Sequence, residues 1–193
     1  PTENISRIAG ADVSYDKISG RAYSAVLVFG WPDLELLEQV VAHQPIGFPY
    51  IPGLLSFREV PALLQAFRKI RNEPEVILLD GQGISQPRGF GLASHVGLIL
   101  DRPTIGCAKS RLVGSHGEVD NARGAFAPLE HRGELVGAVL RTKANTKPLY
   151  ISPGHRMDIP SASRIVLETC RGYRLPEPIR RAHLAVTRAR KGS

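Results

Sequence analysis

Short apolar runs broken by turn signals fill the first half of the chain. Ile8-Ala-Gly-Ala-Asp-Val-Ser-Tyr15, extended to residue 16, reads as a strand. Ser19-Gly20 marks a turn, and Ala22-Tyr-Ser-Ala-Val-Leu-Val-Phe29 returns, so a β-hairpin is predicted. Residues 36–43 suit a helix by composition. Their short length and place after a hairpin favour a third strand. From Val60 the apolar residues fall at 60, 63, 64, 67 and 70, which is helical spacing, and Lys69 and Arg71 close the last turn. Pro61 then takes the first helical position, where no N–H partner is needed, and Glu59 stands at the mouth of the helix.

The second half alternates. Val76 to Leu79 is a fully apolar strand ending at Asp80-Gly81. Residues 82–89 are a loop, Phe90 to Leu100 a buried helix, Thr104 to Ala108 a buried strand and 113–124 a loop. Glu134 to Arg141 and Pro148 to Ser152 read as two strands paired across 142–147. Ile159 to Cys170 and Glu177 to Arg190 are the last helices. Antiparallel strands followed by helix–strand alternation predict one mixed sheet flanked by helices, a single α/β domain over residues 1–193. In such sheets ligands gather at the carboxyl ends of parallel strands, where Asp80 stands.

Composition narrows the function classes. The 193 residues carry a net charge of +7, which favours phosphate-rich partners by counterion release, with an anionic membrane surface as the alternative. The uncharged stretch 39–57 is interrupted by Pro45, Pro49 and Pro52 and cannot be a continuous membrane helix. Residues 1–10 contain no apolar leader core. The two cysteines, Cys107 and Cys170, form no disulfide framework, and Cys107 reads as an inert core thiol. A reducing, cytoplasmic setting, no membrane and a monomer are expected. There is no CxxC pair or HExxH helix to suggest zinc.

Three acidic residues sit where a fold has little use for them: Asp12 inside a strand, Asp80 at the end of an apolar run, and Glu59 beside a helix. Asp is depleted in strands and costly near a core unless its charge is compensated, and a divalent cation is one compensator. On the face of Asp12, Gly10 and Ser14 are small and leave room for a ligand. Each acid also has a plain structural reading, as a hydrogen-bonded strand residue, an Asp-Gly turn or a helix-dipole contact. Pro49-Tyr50-Ile51-Pro52-Gly53 is stiff, with an apolar tip that suits either a core loop or a wedge between bases. Lys109, Ser110 and Arg111 follow a buried strand, where a lysine can neutralise a phosphate. The arginines from Arg164 to Arg190 read as a solvated face with a few phosphate contacts. Of the six histidines, His95 reads as a satisfied core residue, and spacing alone assigns His183 no role.

Taken together, seven ordered segments resemble the endonuclease V family, the deoxyinosine 3′-endonucleases. They are Gly10-Ala-Asp-Val-Ser-Tyr15, Pro49-Tyr-Ile-Pro-Gly-Leu-Leu-Ser-Phe-Arg-Glu59, Leu79-Asp-Gly-Gln-Gly-Ile84, Gly91-Leu-Ala-Ser-His-Val-Gly97, Pro103-Thr-Ile-Gly-Cys-Ala-Lys-Ser-Arg-Leu112, Ile151-Ser-Pro-Gly-His-Arg156 and Pro176-Glu-Pro-Ile-Arg-Arg-Ala-His183. The resemblance implies a ribonuclease-H-like fold and an Mg²⁺-dependent nuclease, with Mn²⁺ as a substitute cation. By motif position Asp12, Glu59 and Asp80 would hold the metal, Lys109 would lie near the scissile phosphate, and His183 would be a further catalytic position. Pro49, Tyr50, Ile51 and Pro52 match the wedge at the lesion. Gly53, Leu55 and Gly81 match the pocket for the flipped base. One departure is Gln86, where many members carry His; Gln hydrogen-bonds but carries no charge.

The function implied is nicking of inosine-containing DNA, with inosine-containing RNA as an alternative substrate. The cut falls at the second phosphodiester bond 3′ to the deaminated base and leaves 3′-hydroxyl and 5′-phosphate ends. Rivals are a ribonuclease-H-like nuclease for branched DNA or excision repair, which would not need the wedge, and a non-catalytic nucleic-acid-binding module, which leaves the three carboxylates unexplained.

Overall fold

A computed structural model describes residues 5–49, 51 and 53–192. Tyr50 and Pro52, two of the residues assigned to the wedge, lie outside the described residues. In chain order the elements are β1 (Arg7–Asp16), β2 (Arg21–Gly30), β3 (Leu36–Pro45), α1 (Leu55–Phe67), β4 (Val76–Leu79), α2 (Leu92–Leu100), β5 (Thr104–Ala108), β6 (Phe126–His131), β7 (Glu134–Leu140), β8 (Leu149–Pro153), α3 (Ile159–Glu168) and α4 (Glu177–Lys191). The strands form one sheet in the order β3-β2-β1-β4-β5-β8-β7-β6. β1, β4 and β5 run parallel at its centre, and antiparallel pairs flank them on both sides. The expected mixed α/β sheet is therefore present, and the ambiguous stretch after the hairpin is a strand.

Side-chain alternation divides the core between the two faces of the sheet. Ile8, Leu27, Phe29, Leu78 and Ile105 pack under α3 and α4, where Ile165, Ile179, Ala182 and Val186 close one layer. Ala9, Ala11, Val26, Ile77 and Leu79 pack under α1 and α2 against Val60, Leu63, Ala66 and Val96. A smaller cluster of Leu129, Val136 and Val139 takes in Ile84 from the loop after β4.

Four sequence readings need correction. First, α1 begins at Leu55, so Pro61 lies inside the helix and Glu59 is on its second turn rather than at its mouth. The proline suggested a first position, but it gives up one interior hydrogen bond while the buried face from Ser56 to Phe67 holds the helix together. Second, Phe126–His131 is a strand within a stretch with no predicted element. Pro128 argues against a central strand, and β6 is indeed an edge strand, where a missing N–H is tolerated.

Third, the space beside Gly10 is filled. A Cβ there would meet the carbonyl carbon and oxygen of Pro178 at 2.2 Å, so Gly10 lets α4 lie directly on β1. Fourth, several C-terminal arginines work inside the fold. Arg174 donates to the carbonyls of Lys109 and Pro148, both at 2.8 Å. Arg171 reaches the Pro32 carbonyl at 2.8 Å, and the Arg181 guanidinium lies over the Phe29 ring. Cys107 and Cys170 are both buried and free, and burial pushes the Cys107 thiol up, as an inert core thiol requires. Among the described residues no helix is long and apolar enough to cross a membrane.

The contact at Gly10 makes a testable prediction. Gly10→Ala forces α4 away from β1 and should cost about 1–3 kcal/mol, lowering the melting temperature by roughly 3–10 °C. Gly47→Ala, where an added Cβ meets nothing within 4 Å, should leave it within about 1–2 °C. Thermal unfolding of the two variants compares them directly. Equal melting temperatures would show that the helix does not depend on this contact.

Candidate active site

Parallel register does most of the positioning. Ala11 of β1 pairs with Leu79 of β4, and Leu79 pairs with Gly106 of β5. Asp12 and Asp80 each come one residue after those partners, on strands about 4.8 Å apart. Lys109 follows the end of β5. Asp12, Asp80 and Lys109 thus form a row along the carboxyl edge of the sheet, where ligands of open parallel sheets gather. Glu59 arrives from α1 on one face, and His183 from α4 on the other. α4 follows β1 in the same direction: Gly10 meets Pro178, Asp12 meets His183, and the Tyr15 carbonyl accepts from Arg190.

The contacts in this row are specific. His183 Nδ1 lies 2.8 Å from Asp12 Oδ2, and the Val13 amide donates to Asp12 Oδ1 at 2.8 Å. Lys109 Nζ is hydrogen-bonded to Asp80 Oδ2. The backbone of Lys109 is in turn held by Arg174, a role that the reading of a solvated basic face missed. The Asp12 side chain is only 13% exposed, whereas that of His183 is 53% exposed.

Electrostatics tie the three acids together. Burial pushes the Glu59 carboxyl up to about 8, and the negative charges of Asp12 and Asp80 add to that. Burial likewise raises Asp12, with Asp80 contributing; the hydrogen bond from His183 works in the opposite direction. Asp80 thus bears on both Asp12 and Glu59, and Asp12 on Glu59, so the cluster calls for positive charge. Lys109 supplies some of it at Asp80, and His183 is hydrogen-bonded to Asp12. In this arrangement no three His, Cys, Asp or Glu side chains among the described residues are poised together to hold a metal ion. The donor set nevertheless suits a hard cation: all three groups are carboxylate oxygens, and Glu59 is held partly buried with Arg58 as its one cationic influence among the described residues.

Beside the row opens a cavity of about 560 Å³. Glu59, Asp80 and Lys109 form its charged wall, and Gly53, Leu55 and Gly81, the three residues assigned to the base pocket, also line it. Gly53 takes φ +81°, a left-handed conformation suited to glycine, as the chain turns from the wedge segment into α1. Pro49 and Ile51 are exposed.

Several lining residues were not singled out as site residues from the sequence: Ser56, Gln82, Pro87, Phe90, Ser110 and Leu112. Gln82 and Pro87 sit in the stretch 82–89, which reads as an ordinary loop. A Cβ on Gly83 would strike the Pro153 carbonyl oxygen at 1.9 Å, so the loop is pressed onto β8. Gln86 is buried in the same loop. Its Nε2 reaches the Gly53 carbonyl at 3.4 Å and its Oε1 accepts from the Arg88 amide at 2.7 Å. The residue that departs from the family pattern thus bridges the two segments that wall the pocket. His95 is not a satisfied core residue. Its ring stacks near Phe57 and Phe90, with centroids 5.0 and 5.3 Å away, and its buried Nδ1 has no partner among the described residues.

Known proteins match this arrangement over most of their length. The family model for Endonuclease V matches residues 1–184. Endonuclease V of Methanothrix thermoacetophila is 51% identical over 189 residues, covering 97% of this chain and 83% of that protein. The crystal structure of Endonuclease V from Streptomyces avermitilis superposes with a TM-score of 0.92 at 39% identity, covering 96% of this chain and 82% of that one. Endonuclease V of Ciona intestinalis, in complex with a 23mer DNA containing an inosine followed by a ribo-adenosine, superposes at 0.87 with 27% identity, covering 99% of this chain and 88% of that one. With three carboxylates and a lysine gathered at the carboxyl edge of this sheet, the chain belongs to the Endonuclease V family and is an endonuclease.

Proposed function

We propose that the protein is an Mg²⁺-dependent endonuclease that nicks inosine-containing DNA at the second phosphodiester bond 3′ to the deaminated base, leaving 3′-hydroxyl and 5′-phosphate ends. The observation that carries this reading is one electrostatic cluster of Asp12, Glu59 and Asp80, with Glu59, Asp80 and Lys109 on the wall of a cavity large enough for a nucleobase. The Ciona relative was crystallised with an inosine-containing strand, which supports the substrate class.

Asp12, Glu59 and Asp80 would hold Mg²⁺, or Mn²⁺ in its place. Once bound, the cation supplies Lewis acidity for the phosphodiester and for the attacking water. Lys109 then exchanges the Asp80 carboxylate for the phosphate and offsets the charge that grows there during in-line attack. His183, fixed on Asp12 and open to solvent on its other side, orients water or accepts a proton through Nε2. The stiff segment Pro49–Gly53 opens the stack at the lesion, and the extruded base enters the cavity against Gly53, Leu55 and Gly81. Mispaired inosine costs less to extrude than a paired base, which supplies part of the selectivity. Inosine-containing RNA is a second reading, favoured by the ribo-adenosine that follows the inosine in the Ciona complex.

Matched DNA and RNA strands with one inosine or one adenosine, with and without Mg²⁺, form the direct test. Nicking confined to inosine strands and to Mg²⁺ supports the proposal. Equal cutting of adenosine strands, or preferred cutting of branched DNA, refutes it. Asp80→Asn should lower the nicking rate by at least about 10³-fold, the loss of several kcal/mol of transition-state stabilisation, while an inosine strand still binds in a gel-shift assay. Near-normal nicking by this variant removes Asp80 from the metal set.

A third measurement reads the cluster without activity. At neutral pH metal-free Glu59→Gln should melt above the metal-free wild type, because Gln avoids the cost of protonating or charging a buried carboxyl whose pKa is pushed up to about 8. Added Mg²⁺ should raise the wild-type melting temperature and move the variant much less. A variant that melts below the wild type without metal, yet responds fully to Mg²⁺, would place the ion elsewhere.

A further inference from the structure

A second cavity, of about 520 Å³, lies between the loop after β4 and the β6–β7 hairpin. Gln86 and Pro87 line both cavities, so the second continues from the first. Its distinctive residues are Arg88, His131, Arg132 and Glu134. The side chains of Arg88 and Arg132 have no partner among the described residues. The buried Nε2 of His131 likewise has no hydrogen-bond partner among them.

Backbone geometry adds an independent observation. Arg132 and Gly133 form the two-residue turn of the hairpin with φ +55° and +81°, both left-handed. Glycine and asparagine suit such turns, whereas arginine is strained there. The strain comes with a long cation carried over the groove, opposite a second one on the facing loop. Nothing in the folding of the hairpin calls for that charge, since His131 and Glu134 already close the strand pair.

We infer that this groove is a phosphodiester-backbone site for the strand being cut. It would hold nucleotides beyond those in the first cavity, with Arg88 and Arg132 on successive phosphates and His131 Nε2 hydrogen-bonding an oxygen of the backbone. Glu134 at the same rim opposes an anionic ligand and limits the affinity. The inference rests on the nucleic-acid reading above and adds a binding segment that the catalytic row does not include. Phosphate contacts position a strand without reading its sequence, so the groove acts on register and affinity rather than on recognition of the lesion.

Binding of fluorescein-labelled single strands with one central inosine, followed by anisotropy with Ca²⁺ in place of Mg²⁺, tests the site. Arg132→Asn suits the left-handed turn and removes the charge; Arg88→Gln removes the other; Arg132→Lys keeps it. Each neutral variant should reduce the slope of log K against log salt by about 0.7, so binding weakens about 2.6-fold more at 50 mM than at 200 mM salt. Arg132→Lys should restore the slope, and Glu134→Gln should tighten binding. Trimming the strand on one side of the inosine should abolish every one of these differences, while trimming the other side leaves them. Unchanged slopes in both neutral variants, or an effect that persists on strands trimmed at either end, overturn the groove. Wild-type protein that binds inosine and adenosine strands equally would overturn the parent reading and the groove with it.

Discussion

Mutual repulsion among Asp12, Glu59 and Asp80 is the constraint around which the catalytic edge is built. Carboxylates that crowd one another and are partly withdrawn from water must be protonated, paired or bridged by a cation. The fold supplies Lys109 to Asp80 and His183 to Asp12, and leaves Glu59 raised to about 8. That residual imbalance is what a divalent cation would relieve, and it stands beside a cavity sized for a base. The chemistry proposed for the protein follows from the location of this excess negative charge on a chain whose net charge is positive.

The scaffold holds the imbalance in place through backbone geometry more than through side-chain contacts. Parallel pairing sets Asp12 beside Asp80, and the row needs no further device. Gly10 lets α4 press on β1, which brings His183 to Asp12. Arg174 fixes the Lys109 backbone where β5 ends. Gly83 and Gly106 let the loop after β4 cross β5 and lie on β8, and that loop in turn lines the first cavity. Each device uses a residue that forms no part of the row itself.

Period-two and period-3.6 patterns made the hairpin, the buried parallel strands and the last helices legible, because each buries a regular face. The ends of elements were less legible. Pro61 marked the wrong turn of α1, since a helix held by a buried face can carry an interior proline, and Glu59 moved from the mouth to the side of the helix as a result. The edge strand Phe126–His131 carries Pro128 and alternates buried and exposed residues only over a short span. Of the site, the acids could be found because Asp in a strand and Asp after an apolar run are locally out of place. Gln82, Ser110 and Arg174 could not, because their roles arise only when distant segments meet. His95 deceived in the opposite direction, since its apolar helix is buried along only part of its surface.

Diffraction from crystals soaked in Mn²⁺, with anomalous scattering to locate the ion, decides whether the three acids share a cation. The ion should be bounded by carboxylate oxygens of Asp12, Glu59 and Asp80, with the ammonium group of Lys109 turned away from Asp80 toward the open cavity. An ion bound elsewhere, or a row that excludes Mn²⁺ and retains the Lys109–Asp80 pair at saturating concentration, would contradict a shared ion.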